Sequence, residues 1–313
     1  MNSGTNSPGA QRGQADQLSQ SGLAQMEQAW RAIDRDLCIS GASAPTRGLV
    51  TMLMGKIGTW KTTTASMWPR PLFFSISKEG GDKALGQLPK IWGTAPPPFY
   101  VINCIEAFNA KLEFVINNWQ RMGIATLVID SATTLFDMWV SELLELRTAE
   151  LAMSRRRNIT EIDRYQAIME QSDWGRLENY AMRRVAEKLH ATGLNIVWIT
   201  LLKEKYETSK DGPYRGQSRL VELRPDLQGA TARKLPAMAD LLLYARKEQR
   251  PTQGGMANAI VYYTETPPGD PMMELRHRFG PSFPNGRLID PEFGDWIPTF
   301  RAIQQQIGQY IRY

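Results

Sequence analysis

Between Leu49 and Thr64 the chain reads L-V-T-M-L-M-G-K-I-G-T-W-K-T-T-T. A short apolar run that stops at a glycine and passes into a lysine-bearing turn reads as a buried strand feeding a tight loop, with a helix beginning at the threonines. Strand, loop and helix N-terminus in that order are the layout of a phosphate-binding P-loop. The template G-x-x-x-x-G-K-[ST] finds its first glycine at Gly55, its lysine at Lys61 and its hydroxyl at Thr62, but Trp60 stands where the second glycine belongs. In such a loop the backbone N–H groups of Gly58, Thr59, Trp60, Lys61 and Thr62, with Thr63 just behind, aim at the β- and γ-phosphates. The Lys61 ammonium bridges phosphate oxygens and the Thr62 hydroxyl takes one position on Mg²⁺. Trp60 fits only if its backbone avoids a glycine-only conformation and its ring points away from the phosphates. The competing reading is a strand-to-helix turn with a chance lysine.

Two further strand ends carry matching chemistry. Ala125 to Ser131, A-T-L-V-I-D-S, is an apolar strand ending in a carboxylate, the Walker B form, with Asp130 set to hold the metal side opposite Thr62. Pro71 to Gly81 is a strand followed by Glu79, a candidate general base for an attacking water. Strand ends of a parallel sheet converge on one edge, so the three meet at one crevice. The elements predicted around them alternate. Strands fall at Leu49–Met54, Leu72–Ile76, Phe99–Asn103, Thr126–Asp130 and Asn195–Thr200, with helical patterns over 62–67, 108–122, 132–152 and 172–192. That is an α/β chain with a mostly parallel sheet and helices on both faces. Short strands at Leu241–Arg246, Ala259–Thr264 and Glu274–Phe279 suggest an antiparallel C-terminal extension.

The order of the P-loop, T-T-T-A-S-M-W-P-R-P-L-F-F, E-G-G, L-V-I-D-S and N-I-V-W-I-T resembles the phage-encoded RecA-like P-loop nucleotide-binding proteins. These are ATPases of single-strand-annealing and recombination modules. The similarity runs from about Leu49 to Ile289 and takes in D-W-G at Asp173, P-D-L-Q-G at Pro225, A-D-L-L-L at Ala239 and L-R-H-R-F-G at Leu275. It implies a RecA-like P-loop NTPase core, ATP and Mg²⁺ as cofactors, single-stranded DNA as partner and a ring or filament of identical subunits. A single-strand DNA-binding protein is a further partner it suggests. Arg276 and Arg278 stand where that family shows a basic pair, read as arginine fingers reaching the neighbour's nucleotide; the alternative is a surface ladder of two arginines. The chain departs from the pattern at Trp60 and at Thr200-Leu201-Leu202, where relatives carry a polar sensor.

The 313 residues divide into a disordered tail over 1–20, a helix and linker over 21–46, the ATPase domain over 47–290 and a C-terminal helix over 291–313. No apolar stretch approaches the roughly 18 residues of a membrane helix, and the N-terminus lacks a signal-peptide pattern. Cys38, Cys104, His190 and His277 are too scattered for a disulfide framework or a metal cluster. A cytoplasmic protein is expected, in the host cell if phage-encoded, with no membrane partner. The net charge of +5 hints at a polyanion.

Two segments are candidates for DNA contact. One runs from Arg147 to Glu170 and contains Arg155-Arg156-Arg157. The other, Lys203 to Arg219, follows the sensor strand and carries Lys203, Lys205, Tyr206, Lys210, Tyr214, Arg215 and Arg219. Cations that track phosphates beside tyrosines on which bases stack make a sequence-tolerant single-strand site; a solvated hairpin with incidental charge is the alternative. Three function classes follow. The favoured one is an ATP-binding, ATP-hydrolysing recombination or annealing protein. The second is a ParA/MinD-like deviant-Walker switch, in which Lys56 is the signature lysine although Ile57 breaks the glycine pair. The third is a non-enzymatic structural or adaptor protein with a degraded P-loop.

Overall fold

In the computed structural model β1 (Val50–Gly55) is buried along its whole length, which is why its sequence is apolar on both faces, with Thr51 the one hydroxyl, and not an alternation. It lies parallel between β5 (Asn195–Thr200) and β8 (Leu241–Thr252). Beyond β5 come β4 (Thr126–Asp130), β2 (Pro71–Ile76) and β3 (Phe99–Ile102), all parallel. Beyond β8, β9 (Gly255–Tyr263) and β10 (Arg287–Leu288) add on antiparallel. The eight-stranded order is β10-β9-β8-β1-β5-β4-β2-β3, and β6 (Leu202–Thr208) with β7 (Ser218–Pro225) forms a separate antiparallel pair. The structure describes residues 48–76, 81–92, 95–155, 169–208, 218–252, 255–267, 275, 278 and 286–288. The expected tail, linker and C-terminal helix lie outside them, as do Glu79, Lys210, Tyr214, Arg215 and Arg276.

Successive residues of β1 point to opposite faces, and each face has its own core. Val50, Met52 and Met54 pack with Phe108 and Leu112 of α4 (Ile105–Asn118) and with Phe136 and Trp139 of α5 (Ala132–Arg155). Edge-to-face rings run through this layer: Phe74 to Phe108 at 5.9 Å, Phe108 to Trp139 at 5.8 Å and Trp139 to Phe136 at 4.8 Å between centroids. The same layer takes in Leu177 of α6 (Gln171–Asn179), a π-helical stretch over Tyr180–Ala186, α7 (Glu187–Ala191) and α8 (Thr231–Met238). Leu53 faces the other core. There it meets Ala65 of α1 (Lys61–Ala65), Leu85 of α2 (Gly81–Leu85) and Leu88 of α3 (Leu88–Trp92). The α1 helix is pinned to β9 by the Tyr262 hydroxyl, which donates to Thr64 Oγ1 at 3.1 Å. Full burial pushes that phenol's pKa up, so it stays a neutral donor.

The expected strand over Glu274–Phe279 is not there at its described positions, since Leu275 and Arg278 sit in irregular backbone. Arg278 instead clamps the amino end of the sheet. Its N–H donates to the Asp240 carbonyl at 3.0 Å, its guanidinium donates to the Ala237 carbonyl at 3.0 Å, and it lies 3.5 Å from the Asp240 carboxylate. Asp240 in turn accepts the Val50 N–H at 3.0 Å and donates its own N–H to the Val50 carbonyl at 2.8 Å. A buried backbone donor that loses its acceptor stays unsatisfied, so Asp240→Ala should destabilise the fold by about 2–3 kcal/mol. Arg278→Ala, removing a half-exposed partner, should cost less than about 1 kcal/mol. Urea unfolding of the two variants beside the parent checks the ranking.

Candidate nucleotide-binding site

Register brings the carboxyl ends of four strands to one edge. Met54 lies beside Thr200, Ile199 beside Asp130, and Asp130 beside Ser75. The loop after β1 therefore turns back over the end of β4. The Thr62 hydroxyl donates to Asp130 Oδ2 at 2.7 Å, across 68 residues of chain. Lys61 is buried, and its ammonium donates to the carbonyls of Gly55 at 2.8 Å and Lys56 at 2.9 Å, with Thr59 Oγ1 at 3.4 Å. Thr59 closes the loop by donating to the same Lys56 carbonyl at 2.8 Å. A cavity of about 590 Å³ opens here, bordered by Gly58, Trp60, Lys61, Thr62, Gly81 and Asp130.

These residues fit a polyphosphate with Mg²⁺. A buried ammonium that donates to neutral loop oxygens can exchange them for phosphate oxygens. A hydroxyl and a carboxylate in contact are the hard oxygen donors that Mg²⁺ takes, which would neutralise charge on the phosphoryl oxygens. Thr62 and Asp130 would hold the metal, Lys61 and the N–H groups of Gly58 to Thr62 the phosphates.

Trp60 departs from the sequence expectation. It takes φ 57° and ψ 23°, the left-handed conformation that the motif's glycine would occupy without cost. The expectation that its backbone avoids this region is overturned. The loop geometry wins because Lys61 and Thr62 on one side and Gly55 on the other are fixed by the contacts above, at a cost of about 1–2 kcal/mol for the residue between them. Its side chain is about one-third exposed, and it borders the cavity.

Gly81 went unrecognised in the sequence as a site residue. A Cβ there would lie 2.8 Å from Asp130 Oδ2 and 3.2 Å from Ser75 Oγ, so only glycine lets α2 begin against the Asp130 carboxylate. Glu79, two residues earlier, lies outside the described residues. At the end of β5 the cavity meets Ile199 and Leu201, so this strand end presents apolar side chains where a polar sensor would stand.

Lys56, exposed on the loop, forms an ion pair with Glu204 of β6, and the Tyr206 hydroxyl donates to the same carboxylate at 2.8 Å. Glu204 holds the Lys56 pKa up, and Lys56 with Tyr206 holds that of Glu204 down. Lys203, Lys205, Tyr206 and Arg219 are all exposed on the β6–β7 pair. Yet Lys203 lies 4.0 Å from Asp226 and Lys205 3.6 Å from Glu207, and Arg224 lies 3.6 Å from Glu222. The stem is thus close to charge-balanced. The other basic candidate fares differently: α5 runs on to Arg155, and Arg147 is held by Glu170 and Glu150 in its own chain.

Two outcomes test this geometry. Replacing Trp60 by Gly, Asn and Val should rank stability Gly and Asn above Val by about 1–2 kcal/mol, because a β-branched residue suits the left-handed region worst; thermal melts of the three decide it. Gly81→Ala should drive a methyl into the Asp130 carboxylate and lower Mg²⁺-dependent nucleotide affinity by about tenfold, a shift of ~1.4 kcal/mol in titration calorimetry.

Among curated proteins, none matches the chain closely enough to count as a relative. A protein-family model described as an AAA domain matches residues 47–271, which takes in the P-loop strand, Lys61, Thr62, Asp130 and the sheet that assembles them. With most of its length matched and the phosphate-binding loop folded against its Walker B carboxylate, the chain belongs to this AAA-domain family of P-loop ATPases.

Proposed function

We propose that the protein binds and hydrolyses ATP in a phage recombination or single-strand-annealing role, acting on single-stranded DNA as a ring or filament of identical subunits. The observation that carries the nucleotide part is the 2.7 Å contact between Thr62 and Asp130 beside the buried Lys61 ammonium. On binding, Lys61 trades the Gly55 and Lys56 carbonyls for phosphate oxygens. Glu79, in the short connection between β2 and Gly81, accepts the proton of the attacking water. Ile199 and Leu201 keep bulk water off one wall of the cavity.

For DNA, the support is position and composition. The β6–β7 pair stands directly beyond the site, tied to the P-loop by Lys56 and Glu204. Its stem is nearly charge-neutral, so contact with a single strand falls to exposed Tyr206 and to Lys210, Tyr214 and Arg215 in the connection over 209–217. Arg276 carries the arginine-finger role; Arg278 is engaged in its own chain by Asp240 and the Ala237 carbonyl. A single-strand DNA-binding protein is the partner that such a role brings. The ParA/MinD-like switch needs Lys56 free to act on a neighbour, and in this chain it pairs with Glu204.

ATP hydrolysis measured with and without single-stranded DNA tests the reading. Lys61→Ala should lose about 2–4 kcal/mol of ATP affinity, and Glu79→Gln should keep binding while turnover falls by about 10²-fold or more. Charge reversal at Lys210 and Arg215 should flatten the salt dependence of DNA binding and spare ATP binding. A parent that binds ATP but never hydrolyses it would make the protein an adaptor. An unchanged salt slope would remove the DNA assignment.

A further inference from the structure

β8 overshoots β1. Their pairing ends at Gly55 and Ala245, where β1 turns away into the P-loop, while β8 continues to Thr252 with β9 alone beside it. Residues two apart on a strand share a face, so Lys247 follows Leu243 and Ala245. Both of those lie in the core shared with Ala65 and Trp68, at the base of the P-loop helix. Lys247 therefore stands on the same face of the sheet as the P-loop, past the same edge.

Its ammonium reaches the loop. A Cβ built on Gly58 would lie 3.0 Å from Lys247 Nζ and 3.7 Å from its Cε, and Gly58 itself takes φ +75° and borders the cavity. The neighbouring Glu248 accepts a hydrogen bond from the Tyr263 hydroxyl. Lys247 is exposed and has no hydrogen-bond or ion-pair partner among the described residues. An ammonium with a flexible stem, laid on a glycine whose N–H belongs to an anion cradle, is poised for an anion in that cradle.

We infer that Lys247 is a second, in-chain cation for the nucleotide's polyphosphate, approaching the loop at Gly58 while Lys61 approaches from within; the inference rests on the ATP-binding reading above. It supplies positive charge to a loop whose Trp60 departs from the motif. Being exposed, it acts through a screened field, and its contribution is smaller than that of Lys61.

Titration calorimetry of the full chain with Mg·ATP and Mg·ADP tests it, using Lys247→Ala, Lys247→Arg, Lys247→Glu and Lys61→Ala. Lys247→Ala should weaken both nucleotides by about three- to tenfold, Lys247→Glu by more, and Lys247→Arg should restore most of the loss. The difference from the parent should shrink between about 0.1 and 1 M salt. Melting temperatures without nucleotide should not move, since the side chain is exposed. If Lys61→Ala loses binding while Lys247→Ala stays within about twofold of the parent, the Lys247 assignment is wrong and the P-loop reading stands. If Lys61→Ala binds as the parent does, the P-loop reading falls and this inference with it.

Discussion

A lysine ammonium cannot be buried without oxygen around it, and that requirement shapes the loop on which the site is built. Lys61 is only 7% exposed, and its charge is met by the carbonyls of Gly55 and Lys56, the last residue of β1 and the first beyond it. To present both carbonyls inward the chain must curl around the ammonium, which sets the path from Gly55 to Thr62. That path leaves Trp60 in the left-handed region and Gly58 at positive φ. The same interaction is provisional. Phosphate oxygens carry full charge and bind an ammonium more strongly than a carbonyl does, so in the proposed ATP complex they would take the place of the two carbonyls.

The loop has value only because something stands opposite it, and the parallel sheet supplies that. β5 lies between β1 and β4, so Asp130 arrives one strand removed from Gly55, at the distance a loop folded back over the edge can span. The Thr62 hydroxyl closes that gap. Gly81 then decides how near the next connection comes, since its missing side chain is the room that Asp130 occupies. At the other end of the strands Asp240 and Arg278 tie β1 to β8. β1 is thus held at its amino end by a carboxylate and at its carboxyl end by its own loop, and strand slippage would break both. The Lys56–Glu204 pair adds a link outward, from the loop to the β6–β7 pair. With the Lys56 side chain exposed, this pair contributes little to stability.

Much of this was legible in the residues alone. Apolar runs ending in Gly55, Asp130 and Thr200, alternating with helical patterns, announce buried parallel strands, because a strand covered on both faces reads as a near-continuous apolar run. Helical periodicity located α4, α5 and the α6–α7 stretch to within a few residues. The P-loop spacing named Lys61 and Thr62, and the strand end named Asp130, because these features are local and written within about ten residues of chain. What tertiary structure alone decided are contacts between distant segments. No local pattern says that Arg278 turns to Asp240, that Lys56 meets Glu204, that Gly81 makes room for Asp130, or that β8 runs past β1 far enough to lay Lys247 on Gly58. Trp60 shows the reason. Its own preference argues against the left-handed region, but the contacts of Lys61 with two carbonyls and of Thr62 with Asp130 outweigh a cost of about 1–2 kcal/mol at one residue. Local propensity is a fraction of a kcal/mol to a few; the long-range contacts that override it exist only once the sheet has brought the segments together.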